Sequence, residues 1–273
     1  SLFSPAISAA IPDIVPKKEL TTANSYAQFN SQISSILGMG AAGFLFSYFG
    51  AAFIFLINGL SYLFSAFSEM FIKIPQAIPE KLGGKDKVYK EFKKDLINGF
   101  GYIWQQKGLR SLVLIYAFLG FFTAPLIILL PFFVKNYMLV DEGWYGIIMA
   151  VYAGGAVIGY LFAALLKLER KQRASGMVLC FILEALSFVL FSMLRNPWAV
   201  LGVAVFAGAI GGFINVNVVT LIQATTPSKI RGRVFGVITT ITGSIAPIGT
   251  ALAGVIADKI DKNVPVMFLA CGI

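Results

Sequence analysis

Histidine is absent from the 273 residues, and cysteine occurs only twice, at Cys180 and Cys271, each inside an apolar stretch. Without histidine, zinc chemistry and imidazole acid–base catalysis lose their usual residue. Two isolated cysteines in apolar surroundings make neither a disulfide framework nor a thiolate metal site, so no metal and no cofactor is expected. Charge is scarce as well. Only 13% of residues are charged and 58% are hydrophobic, with a mean hydropathy of +0.80, against roughly 25% charged in an ordinary soluble domain. Such a chain cannot cover its surface for water. An enzyme would need paired acids, a metal cluster or a nucleophile with its base, and none of these constellations is present.

What is present is a succession of apolar blocks of about 20 residues, the length that crosses a hydrocarbon core as helix. The expected spans are 1–11, 23–49, 51–74, 109–136, 143–168, 174–194, 198–224, 233–257 and 265–273. The first and last are incomplete, so an all-α, polytopic helical bundle truncated at both ends is expected, with the bilayer as its solvent. The net charge of +9 raises nucleic acid as a partner, yet the Lys and Arg sit between the spans. Eighteen of the 22 fall on alternate connections: Lys17 and Lys18, Lys73 to Arg110, Lys167 to Arg173, and Lys229 to Arg233. By the positive-inside rule those connections face the cytoplasm of a bacterial inner membrane, and nucleic acid is excluded.

The one long connection divides the chain into 1–74, a linker at 75–108, and 109–273. Phe92, Leu96 and Phe100 recur every fourth residue with lysines between them, a pattern for a helix lying on the membrane surface. A fainter signal is an echo between Val15-Pro16-Lys17-Lys18 and Thr226-Pro227-Ser228-Lys229, six spans apart on the same side. Two halves related by an axis along the membrane normal place such loops equivalently.

Gly38-Met39-Gly40-Ala41-Ala42-Gly43 matches a dinucleotide-binding fingerprint in letters only, since it lies within a span, with Leu63 where an acid is required. Gly38, Gly40 and Gly43 are instead expected to let another backbone approach, as are Gly155-Ala156-Val157-Ile158-Gly159 and Gly208-Ala209-Ile210-Gly211-Gly212. Pro125, Pro131 and Pro247 are kink positions. Among intramembrane polar residues, Asn215 and Asn217 point about 200° apart on a helix, and the face shared by Asn217 and Thr220 is expected to line a cavity. Glu184, about 15 Å into its span, is the candidate proton-coupling residue. The span 109–136 offers an uncharged aromatic wall in Tyr116, Phe118, Phe121, Phe122, Phe132 and Phe133.

At Ala224-Thr225-Thr226-Pro227-Ser228-Lys229-Ile230-Arg231-Gly232-Arg233-Val234-Phe235, followed by Pro247-Ile248-Gly249 and Gly254, the chain resembles the major facilitator superfamily, in particular its bacterial drug, macrolide and siderophore exporter branch. The stretch from Phe3-Ser4-Pro5-Ala6 to Val15-Pro16, with Leu20 and Ala23-Asn24-Ser25, resembles the fourth-to-fifth helix junction of the same branch. It departs from that pattern at Gly38-Met39, where antiporters often carry Gly-Pro, and at Leu168-Glu169-Arg170-Lys171-Gln172-Arg173, which keeps only the Glu-Arg core of a gating motif. The resemblance implies two six-helix halves and export of an apolar or amphipathic small molecule, coupled to protons, by alternating access. Uptake of a nutrient by the same architecture is the alternative. It further implies that Phe121, Phe122, Asn217 and Thr220 contact the solute while Arg231, Gly232 and Arg233 help close the cytoplasmic side.

Overall fold

The computed structural model describes residues 3–71, 85–141, 143–166, 168, 170–259 and 263–272. Helix is the only regular structure among them. The elements are α1 (Phe3–Ile14), a short 3₁₀ turn (Lys17–Glu19), α2 (Leu20–Glu69), α3 (Lys85–Gln105), α4 (Lys107–Phe132), α5 (Gly143–Leu165), α6 (Arg170–Met193), α7 (Pro197–Thr225), α8 (Ser228–Lys259) and α9 (Val264–Gly272).

Local chemistry sets the boundaries. α2 is two arms joined at Gly50, whose φ of 73° lies in the left-handed region that side-chain-bearing residues avoid. The break falls between the expected spans 23–49 and 51–74. In α4, Pro131 cannot donate to the helical ladder, and two residues later the helix widens into a π turn at Phe133–Tyr137, where Met138 N donates to Phe133 O. α7 starts with Asn196, whose side chain accepts from Trp198 N, and with Pro197 in the first turn, where a missing N–H costs nothing.

Among the described residues six segments are long and apolar enough to cross a membrane: Tyr48–Glu69, Lys107–Tyr137, Gly143–Leu165, Ser175–Met193, Pro197–Thr225 and Ser228–Lys259. The first arm of α2 is helical too, but Asn24, Ser25, Gln28, Asn30, Ser31 and Gln32 make it more polar. One expectation needs correcting: Lys229 to Arg233 do not form a loop. They occupy the opening turns of α8, because the chain re-enters helix directly after Pro227. The basic stretch Arg170 to Arg173 likewise opens α6.

Small residues decide the packing. A Cβ on Gly155 would collide with the Val205 carbonyl, on Gly159 with that of Ala209, on Gly208 with that of Tyr152, and on Gly212 with that of Ala156. α5 and α7 therefore touch backbone to backbone, as lipid-embedded helices need when burial from water no longer drives association. Gly249 of α8 meets the Phe121 carbonyl of α4 in the same manner, and Gly272 of α9 lies against Ala185 and Val189 of α6. Gly38 differs, with no atom within 4 Å of a Cβ built on it, and the surroundings of Gly40 and Gly43 lie outside the described residues.

Candidate functional site

Beside the α5–α7 seam lies a cavity of about 910 Å³ between the first arm of α2 and α4, α5, α6, α7 and α8. Its wall includes Gln32 and Ile36 from α2, Tyr116 and Thr123 from α4, Tyr152 and Tyr160 from α5, Glu184 from α6, Asn215 from α7 and Thr242 from α8. Along α5 it extends from Tyr160 to Tyr145 in the first turn, about 22 Å at 1.5 Å per residue. That first turn lies at the end of the bundle away from the basic connections. Among the described residues Glu184 is the one charged side chain in the wall, and it is buried at 4% exposure. Gly211 makes room for it: a Cβ there would sit 3.1 Å from the Tyr152 hydroxyl and 3.6 Å from Glu184 Oε1. Asn215 Nδ2 donates to the Tyr116 hydroxyl at 3.2 Å. Glu184 Oε2 and Asn215 Oδ1 have no hydrogen-bond partner among the described residues. Both acceptors are buried, so each is a polar group left to be satisfied at the cavity wall.

A second, smaller pocket of about 80 Å³ adjoins the cavity and shares Thr123, Met149 and Tyr152 with it. Its other lining is apolar, including Leu126, Ile148, Phe188, Phe191 and Phe268.

At the basic end the first segments clasp the last ones through polar contacts. Arg231 Nη1 of α8 donates to Asp13 Oδ1 of α1 at 2.9 Å and to Ala9 O at 3.1 Å, and Ser228 Oγ donates to Asp13 Oδ1 at 3.0 Å. On the other diagonal, Asn24 Nδ2 of α2 donates to Gln223 Oε1 at 2.6 Å and to Thr220 Oγ1 at 2.9 Å, while Gln223 Nε2 donates to Ser8 O at 2.7 Å. A residue before Pro16 pairs with one after Pro227, and a residue after Pro16 pairs with one before Pro227. Such crossing is what a two-fold axis along the membrane normal between the two proline turns would produce.

The site residues expected from sequence are distributed among four surroundings. Glu184 is in the cavity wall. Asn217 and Thr220 are buried together on one face of α7, but that face meets its neighbours rather than the cavity: Asn217 Nδ2 donates back to Phe213 O of its own helix, and Thr220 accepts from Asn24. Asn215, on the opposite side, faces the cavity instead. Phe121 packs against Gly249 of α8 with Phe122 edge-on at 5.1 Å, and neither belongs to the cavity wall. The Arg231-Gly232-Arg233 triplet fans out: Arg231 reaches α1, Gly232 sits 4.0 Å from Ala9 Cβ at the site of its own missing Cβ, and Arg233 pairs with Asp95 of α3 at 3.0 Å. Sequence reasoning named Tyr116 in the aromatic wall, which does line the cavity, but passed over Tyr152, Tyr160 and the partners of Asp13 and Asn24. The 200° separation of Asn215 and Asn217 was the one available hint that a choice between faces had to be made.

Residues 1–250 match the family model described as Major Facilitator Superfamily. Macrolide efflux protein A of Streptococcus pyogenes is 26% identical over 268 residues, covering 96% of this chain, and the multidrug efflux pump Tap of Mycolicibacterium fortuitum is 24% identical over 268 residues, covering 94%. The chain spans 64% and 63% of the lengths of those two relatives. Among solved structures, a bacterial homologue of the iron transporter ferroportin, described as outward-facing, superposes with a TM-score of 0.72 at 18% identity, over 99% of this chain and 66% of that one.

Proposed function

The chain belongs to the Major Facilitator Superfamily, and from that membership and the lining of its cavity we propose that the intact protein exports an amphipathic small molecule across the bacterial cytoplasmic membrane, driven by protons. The observation that carries this reading is a cavity about 22 Å long in which one carboxyl stands among tyrosines and an apolar side pocket opens alongside. A sugar or phosphate site would present several charged or amide groups. This wall offers one acid, one pair of free acceptors and a large apolar area, which suits a solute with an apolar body and a single polar or cationic group. The efflux proteins among its relatives support the same direction of transport.

Alternating access follows from the two kinds of contact. The seam of α5 and α7 moves as a unit, while the clasp of Asp13, Asn24, Gln223 and Arg231 closes the cytoplasmic end and can be exchanged for water when the end opens. Glu184 is the group that takes up a proton from outside and gives it up inside, its charge being tolerable only while the cavity is wet. The solute contacts are Tyr116, Tyr152 and Asn215, with Phe121, Phe122, Asn217 and Thr220 holding the wall from behind.

Cells expressing the full-length protein should accumulate less macrolide or lipophilic dye than controls, and a protonophore should abolish the difference. Glu184→Gln, which preserves shape without charge, should remove proton-driven export. Uptake that rises with expression, or export indifferent to the protonophore, would overturn the reading.

A further inference from the structure

α3 has two working faces. Gly99 packs against the Arg233 carbonyl and Val237 of α8, Ile103 is buried in the cluster with Val234 and Ile238, and Tyr102 donates to Thr225 O. Gly99, Tyr102 and Ile103, little more than one turn near the C-terminal end of α3, thus seat against Arg233 to Ile238 of α8 and the last turn of α7, at the basic end of the bundle. Next to that buried face, Leu96, Phe100, Trp104 and Ile97 are exposed. At 100° per residue they occupy a sector of about 100°, with Gly99 and Ile103 along one edge and Lys90 and Lys94 along the other. Phe100 and Trp104 stack at 5.5 Å, and Arg110, one turn into α4, lies over the Trp104 ring at 5.4 Å. Lys90, Lys93 and Lys94 are all exposed.

We propose that α3 seats on the cytoplasmic leaflet, its Leu96–Phe100–Trp104 stripe in the acyl boundary and Lys90, Lys93 and Lys94 on anionic phospholipid headgroups. Two observations name the bilayer as occupant. α3 is separated only by Gln106 from α4, one of the spans, so its C-terminal end is already at the membrane edge. Lys90 and Lys94 flank the apolar sector as amphipathic surface helices require, while Lys93 lies within its width one turn before Ile97 and reaches the headgroups along its apolar stem; tryptophan also favours the headgroup level. The Asp95–Arg233 pair then ties the seated helix to α8 two residues from Arg231, so that lipid charge bears on the clasp.

The test uses full-length protein with Trp144→Phe and Trp198→Phe and any tryptophan outside this sequence likewise replaced, leaving Trp104 as the reporter. It is placed in nanodiscs whose phosphatidylglycerol or phosphatidylcholine carries brominated chains. Trp104 should be quenched by both, and preferentially by brominated phosphatidylglycerol. Replacing Lys90, Lys93 and Lys94 together with Gln, on an exposed surface that leaves folding intact, should erase the preference, which falls by up to about fivefold per lysine and weakens with added salt. Absence of quenching would place α3 away from lipid. Equal quenching by both lipids, or a preference that survives the triple replacement, would refute the role of the lysines. Neither outcome depends on the transported solute.

Discussion

Two contacts of this molecule, the α5–α7 seam and the clasp at the basic end, are built from opposite materials. In the seam, Gly155, Gly159, Gly208 and Gly212 bring carbonyls of the facing helix to where side chains would otherwise be. Among the described residues no side-chain hydrogen bond crosses from α5 to α7. In the clasp, the pairs run side chain to side chain between segments almost 200 or more residues apart, through Asp13, Asn24, Gln223 and Arg231. Each of those groups can be rehydrated at modest cost. The lesson is that a membrane bundle can separate what must stay rigid from what must part by using dispersion contacts for one and hydrogen bonds for the other.

The largest effect should come from filling the seam. Gly159→Leu or Gly212→Val must push two backbones apart, and overpacking of about 1–3 kcal/mol or more should abolish recovery of monodisperse protein in detergent. Normal yield and thermal stability would mean that the helices are not in backbone contact.

Next comes the ion pair. Asp13→Ala strands Arg231, which is only 8% exposed at its side chain, and should weaken closure by about 3 kcal/mol, the low end for a buried pair because Asp13 is itself a quarter exposed. Folding should survive. In a background without other cysteines, Ala9→Cys should then react with a maleimide from the cytoplasmic side much faster than in the parent, and unchanged reactivity would remove Asp13 from the clasp.

A smaller change is expected from the amide diagonal. In a double-mutant cycle, Asn24→Ala and Gln223→Ala should show a coupling of about 0.6 kcal/mol and at most about 1.7 in detergent unfolding. Coupling near zero would make their 2.6 Å bond incidental.

Least affected should be Gly38→Ala, since no atom lies within 4 Å of the added carbon. Yield and transport should stay near parental, within about 0.5 kcal/mol in stability. A clear loss would show that a second backbone closes over Gly38 in the intact protein and that the seam has a counterpart there.

The fold was legible because the bilayer imposes a length rule. The spans read from hydropathy coincide with the helices to within a few residues, and the Gly50 break falls where two spans were divided. The glycines of α5 and α7 were legible for a similar reason, their spacing bringing them to one face. The site was less so. Asn215 and Asn217 differ by nothing that sequence records, yet one borders the cavity and the other bonds its own backbone. Phe121 and Phe122 have the right chemistry for a solute wall, yet Phe121 packs against Gly249 of α8 and Phe122 is exposed with its ring edge-on to Phe121.

By itself the sequence determined that this chain lives in lipid, which ends carry the positive charge and where its longest helix breaks, because each follows from local composition measured against a hydrocarbon slab. Only the tertiary structure decided which face of each helix looks inward and that Asp13 meets Arg231 across 218 positions. An apolar helix in an apolar solvent has no hydrophobic face to declare its orientation. Its rotation is set by how closely neighbouring backbones can approach and by where the few polar groups find one another.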